Sequence, residues 1–177
     1  MSSKVIVTIF GASGDLAKRK LYPSLFRLYK SGNLSEHFAV IGTARRPWSK
    51  EYFESVVVES ILDLADSTEQ AQDFASHFYY QSHDVNDTEH YIALRQLQAE
   101  LNDKYQAEHN KLFFLSMAPQ FFGTIAKHLK SENIVDKVLV PNVFKNQVCK
   151  ANCKDALDHF LTKIMVNTEN LFFVKCC

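Results

Sequence analysis

Cysteine is absent from the first 148 residues of this 177-residue chain, and all four cysteines fall at the end, at Cys149, Cys153, Cys176 and Cys177. A disulfide framework is thereby excluded for the body. The tail's Cys-x3-Cys and distant Cys-Cys lack the paired short spacings of a structural zinc site, so no metal is expected and free thiols are the reading. Net charge is lacking too: 20 Lys and Arg balance 20 Asp and Glu. No global field draws the chain to nucleic acid or an anionic membrane, and no aromatic-basic interleaving supports nucleic-acid binding. No apolar run approaches the ~18 residues that span a bilayer. Met1 to Lys4 leads straight into a short strand-like run with no cleavage-site pattern. A cytoplasmic protein without membrane association is expected.

The length suits one domain with a proper core, and a second full domain would not fit. The body alternates strand-like stretches at 4–10, 38–43, 77–82 and 111–116 with helical patterns at 15–31, 49–66, 87–107 and 119–131. Such alternation points to βαβ units and a parallel, doubly wound α/β sheet with flanking helices. Leu16, Leu21, Leu25 and Leu28 fall on one side of the first helix, Pro23 should bend or divide it, and Ser31-Gly32-Asn33 should stop it. Asn86-Asp87-Thr88-Glu89 offers side-chain oxygens to cap the third.

Where the first strand meets the first helix stands Gly11-Ala12-Ser13-Gly14-Asp15-Leu16. Gly11 permits a tight turn, Gly14 lets a ligand approach the backbone, and the helix opening at Ser13 to Asp15 presents N–H groups to a phosphate. The second strand ends Gly42-Thr43-Ala44-Arg45-Arg46, without the acidic residue that holds the ribose hydroxyls of NAD. An arginine there can fork two donors onto a 2′-phosphate, which favours NADP, with NAD as second choice; both arginines also read as solvated loop cations. His83-Asp84-Val85 and Ala118-Pro119 follow the third and fourth strands, at the carboxyl edge where such sheets bind ligands, or as ordinary caps and helix starts.

The full string Gly-Ala-Ser-Gly-Asp-Leu-Ala-Lys-Arg-Lys-Leu over 11–21 resembles the opening motif of glucose-6-phosphate dehydrogenases. The resemblance continues through Leu21-Tyr22-Pro23-Ser24-Leu25-Phe26-Arg27-Leu28-Tyr29, Ile41-Gly42-Thr43-Ala44-Arg45 and Ser116 to Ala126, and covers residues 1 to about 135. It implies a Rossmann-like NADP-binding domain over 1–135, lacking the downstream sheet-containing substrate domain. It further implies Arg45 as the 2′-phosphate ligand with Arg46 beside it. Gly11 to Leu16, Asp84, Val85, Ala118 and Pro119 are implied near the cofactor, and Lys20 near the sugar phosphate of glucose 6-phosphate. Read as residues alone, Lys18, Arg19 and Lys20 make a solvated helix face.

Residues 136–177 depart from the family. Where it has Glu-Lys-Pro-Phe-Gly, this chain reads Pro141-Asn142-Val143-Phe144, with no lysine in place. Leu157-Asp158-His159-Phe160-Leu161-Thr162-Lys163-Ile164-Met165-Val166 looks like a worn copy of the family's substrate-phosphate segment, its approach shortened by roughly a dozen residues on that resemblance. An incidental Asp-His pair on a helix is the bland alternative. Asp158, His159 and Lys163 keep their spacing, while the family's tyrosine is Phe160. The family's base histidine lies in the downstream domain, and His159 is the only histidine after residue 128. No catalytic set is complete, and the family's dimer or tetramer interface is missing with that domain. The expectation is the NADP-binding portion of a glucose-6-phosphate dehydrogenase with little activity alone; the alternatives are a non-catalytic NADP module or a poorly folded remnant.

Overall fold

The chain is described by a computed structural model over residues 3–135. Four strands run parallel, β1 (Ser3–Phe10), β2 (Leu34–Ala44), β3 (Phe78–Ser82) and β4 (Lys111–Leu115), in the order β3-β2-β1-β4. The register sets Phe10 opposite both Thr43 and Leu115. Residues of β1 are buried on both faces, as expected of a strand covered by helices on either side. Val5, Val7 and Ile9 join one core with α1 (Tyr22–Lys30), α2 (Lys50–Ile61) and α3 (Thr68–Ser76). Ile6 and Phe10 join the other with α4 (Thr88–Tyr105) and α5 (Phe122–Ser131). Buried Thr8 sits on this second side, and its hydroxyl accepts a 2.9 Å hydrogen bond from the Gln98 amide of α4.

The first helical pattern is two pieces, not one. A π-helical turn over Ala17–Leu21 precedes α1, with the Tyr22 N–H donating to the Ala17 carbonyl. Pro23, which has no N–H to give, then falls in the first turn of α1, where none is needed. The extra residue in the turn moves Leu16 off the core face, where the sequence had placed it, and puts Ala17 there instead. The helix ends as expected: the Asn33 N–H reaches the Leu28 carbonyl and the Gly32 N–H that of Tyr29, with Gly32 at φ +74°.

Other differences are corrections of extent. The second strand begins at Leu34, four residues earlier than its apolar run suggests. The second helical pattern stops at Ile61, and a 3₁₀ turn Leu62–Leu64 finishes it. Helix α3 has no counterpart in the sequence reading. It is short, capped by the Ser67 hydroxyl accepting from the Gln70 N–H, and buries only Ala71, Phe74 and Ala75.

Gly42 fixes how closely α2 lies on the sheet. A Cβ there would overlap Phe53 Cζ and stand 2.8 Å from Phe53 Cε1 and 2.9 Å from Ala12 Cβ. Tyr22 packs edge-on against Phe53 and donates its hydroxyl to the Ala12 carbonyl at 2.5 Å. Gly42→Ala is therefore expected to overpack this contact at a cost of about 1–3 kcal/mol, lowering Tm by roughly 2–10 °C. Tyr22→Phe leaves the Ala12 carbonyl unpaired in the core and is expected to cost about 1–3 kcal/mol. Denaturant melts of both variants check this; a wild-type midpoint in either contradicts it.

Candidate functional site

The connections leaving the four strands meet at the carboxyl edge of the sheet. The chain passes from β1 to β2 on one side, while the crossover from β3 lands on β4 at the other, so β2 and β4 flank β1 and a crevice opens at that switch point. A cleft of about 740 Å³ lies there, lined by Gly11, Ser13, Gly14, Thr43, Ala44, Arg45, Arg46, His83, Asp84, Val85, Ser116 and Ala118, among others.

Its floor is the glycine loop. Gly11 takes φ +87°, and a Cβ on it would fall inside contact distance of the Ser116 carbonyl oxygen at the end of β4. The Thr43 carbonyl accepts from both the Gly11 and Ala12 N–H groups, at 2.9 and 3.1 Å, tying the loop to β2. The Gly14 N–H closes the turn onto the Gly11 carbonyl at 3.0 Å. Among the described residues no turn or loop carbonyl accepts from Ser13, Asp15 or Leu16, so these N–H groups are available to an anion. Ser116 adds a buried hydroxyl that has no hydrogen-bond partner.

The two arginines after β2 differ. Arg46 is held: its guanidinium lies 5.8 Å from the centre of the Trp48 ring, and its carbonyl accepts from the Tyr80 hydroxyl at 2.7 Å. Burial pushes that phenol up to about 12. Lys18 reaches the same indole, at 5.7 Å. Arg45 is exposed at the cleft, and among the described residues no ion pair engages it. Asp84 faces the same space. Its carboxyl is held below the usual range by the Asn86 N–H and amide, with the His90 and Arg45 charges adding to this.

The other sequence candidates lie apart from the cleft or deeper. Ala12 is fully buried, and both its backbone groups are engaged within the protein. Asp15, Leu16 and Lys20 line a second groove of about 830 Å³ with Lys18, Arg19, Pro23, Glu59 and Ser60. There the Asp15 carboxylate is paired with Arg19. Pro119 opens the 3₁₀ turn Pro119–Phe121 just behind Ala118. Asp158, His159, Lys163, the four cysteines and the boundary expected at 136 lie outside the described residues. Within the described residues no cluster of His, Cys, Asp and Glu could hold a metal ion, and no helix is long and apolar enough to cross a membrane.

Several residues at or behind the wall were not singled out by the sequence: Thr43 and Ser116, which act through their carbonyls, and His83 line the cleft, while Tyr80 and Trp48 stand behind it and fix Arg46. His83 is 2 % exposed, lies edge-on to Tyr91 at 4.6 Å, and its Nε2 has no partner. Burial, with the nearby His90 charge, pushes it down to about 4.

A parallel sheet with a glycine-turned loop at its switch point and cationic side chains at the end of β2 defines a dinucleotide-binding α/β domain. Comparison with known proteins narrows the class. The family model described as "Glucose-6-phosphate dehydrogenase, NAD binding domain" matches residues 8–168. The glucose-6-phosphate 1-dehydrogenase of Streptococcus pneumoniae serotype 4 is 74% identical over 193 aligned positions, covering 99% of this chain and 39% of that protein. The Leuconostoc mesenteroides enzyme of the same name is 50% identical over 132 positions, covering 75% of this chain and 27% of its own length. A solved structure titled as glucose-6-phosphate dehydrogenase in complex with its substrate glucose-6-phosphate superposes with a TM-score of 0.72 at 26% identity, covering 98% of this chain and 37% of that one. The chain belongs to the glucose-6-phosphate dehydrogenase family, in its nicotinamide-dinucleotide-binding domain. It spans about 39% of the length of the pneumococcal relative. That alignment runs 193 positions against a chain of 177 residues, so at least 16 positions of the relative have no counterpart here.

The buried histidine yields a pH signature. An unfolded histidine titrates near ~6.5, and His83 in the fold near about 4. Between these values the unfolded chain binds the extra proton, so the contribution is intact above the upper value and is lost as pH falls toward the lower, by about 3 kcal/mol at most. Melts at pH 7.5 and 5 are expected to show a smaller acid loss in His83→Phe than in wild type; equal losses contradict the assignment.

Proposed function

We propose that this chain is the NADP-binding portion of a glucose-6-phosphate 1-dehydrogenase, the enzyme that oxidises glucose 6-phosphate at C1 to the 6-phosphogluconolactone. The observation that carries the reading is the pairing of a Cβ-free loop, locked between the ends of β2 and β4, with a free Arg45 where an NAD site has an acid. The loop fits a dinucleotide because Gly11 and Gly14 leave its backbone bare and the N–H groups beyond it are unspent. Ser13, Gly14 and the head of the helix hold the pyrophosphate in this reading. Arg45 forks onto the 2′-phosphate, and Arg46, steadied on Trp48, lies against the adenine side. Asp84, Val85, Ala118 and Pro119 wall the remainder. NADP supplies the hydride acceptor when bound, and NAD is the weaker alternative because no carboxylate follows β2.

The substrate half is incomplete. Lys20, Asp158, His159 and Lys163 are proposed as remnants of the glucose 6-phosphate site. Pro141-Asn142-Val143 replaces the family's lysine-bearing segment. Residues 1–135 are proposed as the dinucleotide domain and 136–177 as an altered segment. Location in the cytoplasm and no nucleic-acid or membrane partner complete the proposal. The second reading, a non-catalytic NADP-binding module, is favoured by the same contrast between an intact loop and an altered tail. The poorly folded remnant is disfavoured by the two closed cores on either side of the sheet.

The test is a thermal melt with NADP or NAD. At ~100 times its Kd, NADP should add about 2.7 kcal/mol, a rise in Tm of roughly 5–10 °C. Arg45→Ala should weaken NADP by roughly 10- to 100-fold and leave NAD little changed, the size expected for charge-assisted hydrogen bonds. Glucose-6-phosphate-dependent NADPH formation should stay far below the ordinary enzymatic range of ~1–10³ s⁻¹. A melt indifferent to NADP would sink the cofactor reading, and ordinary turnover would sink the claim of inactivity.

A further inference from the structure

The turn Asp84–Asn86 walls the cleft opposite Arg45, and two bonds from α4 hold it: the Val85 carbonyl accepts from the Tyr91 hydroxyl at 2.9 Å, and the second bond is at Asp84. The Asp84 N–H donates to His90 Nδ1, the third residue of α4, at 2.8 Å. An imidazole nitrogen that accepts is unprotonated, so the proton of the neutral ring sits on Nε2, which faces the Asp87 carboxylate at 3.8 Å. The ring's backbone is held as well: the His90 carbonyl accepts from the Gln81 amide at 2.7 Å, and its N–H reaches the Asp87 carbonyl. Asp84 Oδ1 is already committed to the Asn86 N–H and amide, at 2.9 and 3.1 Å, which makes the turn a rigid unit. His90 and Tyr91 are thus two struts between that unit and α4, with His90 at the Asp84 end.

We propose that His90 is a positioning residue of the cofactor cleft, whose unprotonated Nδ1 holds the Asp84 end of the turn in its cleft-forming place and lets that end go on protonation, while the Tyr91 hydroxyl keeps Val85 in place. The inference rests on the cofactor reading above, since it makes cofactor affinity depend on a residue that does not line the cleft. A doubly protonated ring has two donors and no acceptor, so it meets the Asp84 N–H donor to donor. The carboxylates of Asp84 and Asp87 would then draw the cation toward themselves and away from that N–H. His83, just after β3, lies 5.6 Å from His90 between ring centres and is kept neutral by burial. His128 of α5 stacks on Tyr91 behind His83, and Arg45 acts on Asp84 from β2.

The test compares wild type, His90→Asn and His90→Leu as the full chain. Asn places an amide oxygen where Nδ1 stood and cannot be protonated in this range; Leu removes the acceptor. NADP affinity is measured at pH 8 and 5.5, with the Asp84 amide resonance followed in the ligand-free chain over the same range. Titration of the ligand's own phosphate is common to all three proteins and cancels. Expected is a loss of roughly 5-fold in His90→Leu at pH 8, the size of one lost hydrogen bond. His90→Asn should bind as wild type at pH 8 and lose less affinity on acidification, and its Asp84 amide should not shift with pH. Equal affinity of wild type and His90→Leu at both pH values overturns this inference alone. The same acid loss in His90→Asn as in wild type also overturns it. A wild-type chain that fails to bind NADP at pH 8 overturns the cofactor reading beneath it, whatever the amide does.

Discussion

The chain leaving β1 passes so close to the ends of β2 and β4 that no side chain fits at the point of passage. Gly11 is the residue that meets this constraint, at φ +87° and against the Ser116 carbonyl. Because Thr43 accepts from two successive N–H groups of the same turn, the loop is fastened on its other side too. The helix that follows therefore starts at a fixed place beside the switch point, with Ser13 and Gly14 at the cleft. A second close approach, Gly42 beneath Phe53 and beside Ala12, sets the height of α2 and of the Arg45–Arg46 connection leading into it. The ligand cleft is the space that these two approaches leave.

Charge is distributed over that space by packing rather than by composition. Net charge is zero, yet Arg46 and Lys18 are drawn onto Trp48 while Arg45 is left exposed. Tyr80 holds the Arg46 carbonyl from below. Two adjacent arginines that are equivalent in the sequence thus become one anchored side chain and one free to meet an anion. The opposite wall shows the same economy: His83 is kept neutral by burial, and His90 is oriented by the backbone it supports.

How much of this was legible follows from which signals are local. The four strands and the glycine loop are carried by short, dense patterns, and the sheet placed them as expected. The Asn33–Leu28 stop and the Asp87 cap were likewise visible, since each is a bond within a few residues. Helix α3 was not, because nine residues with three small or aromatic core contacts leave no apolar stripe to count. The π turn was hidden as well: Pro23 announced a break, but the rotation that moves Leu16 outward depends on the Tyr22–Ala17 bond. In the site, Arg45 and Asp84 could be found from their position after a strand. Thr43 and Ser116 act through carbonyls that any residue possesses, and the strut from His90 to Asp84 is a tertiary contact with no sequence motif.

The most direct test of the account is hydrogen exchange of the chain with and without saturating NADP, read segment by segment. The account predicts new protection confined to 11–16, 43–47, 83–86 and 116–119, the four connections that meet at the cleft. Protection located elsewhere, or none at all with the sheet itself well protected, would contradict the claim that this edge of the fold is a cofactor site.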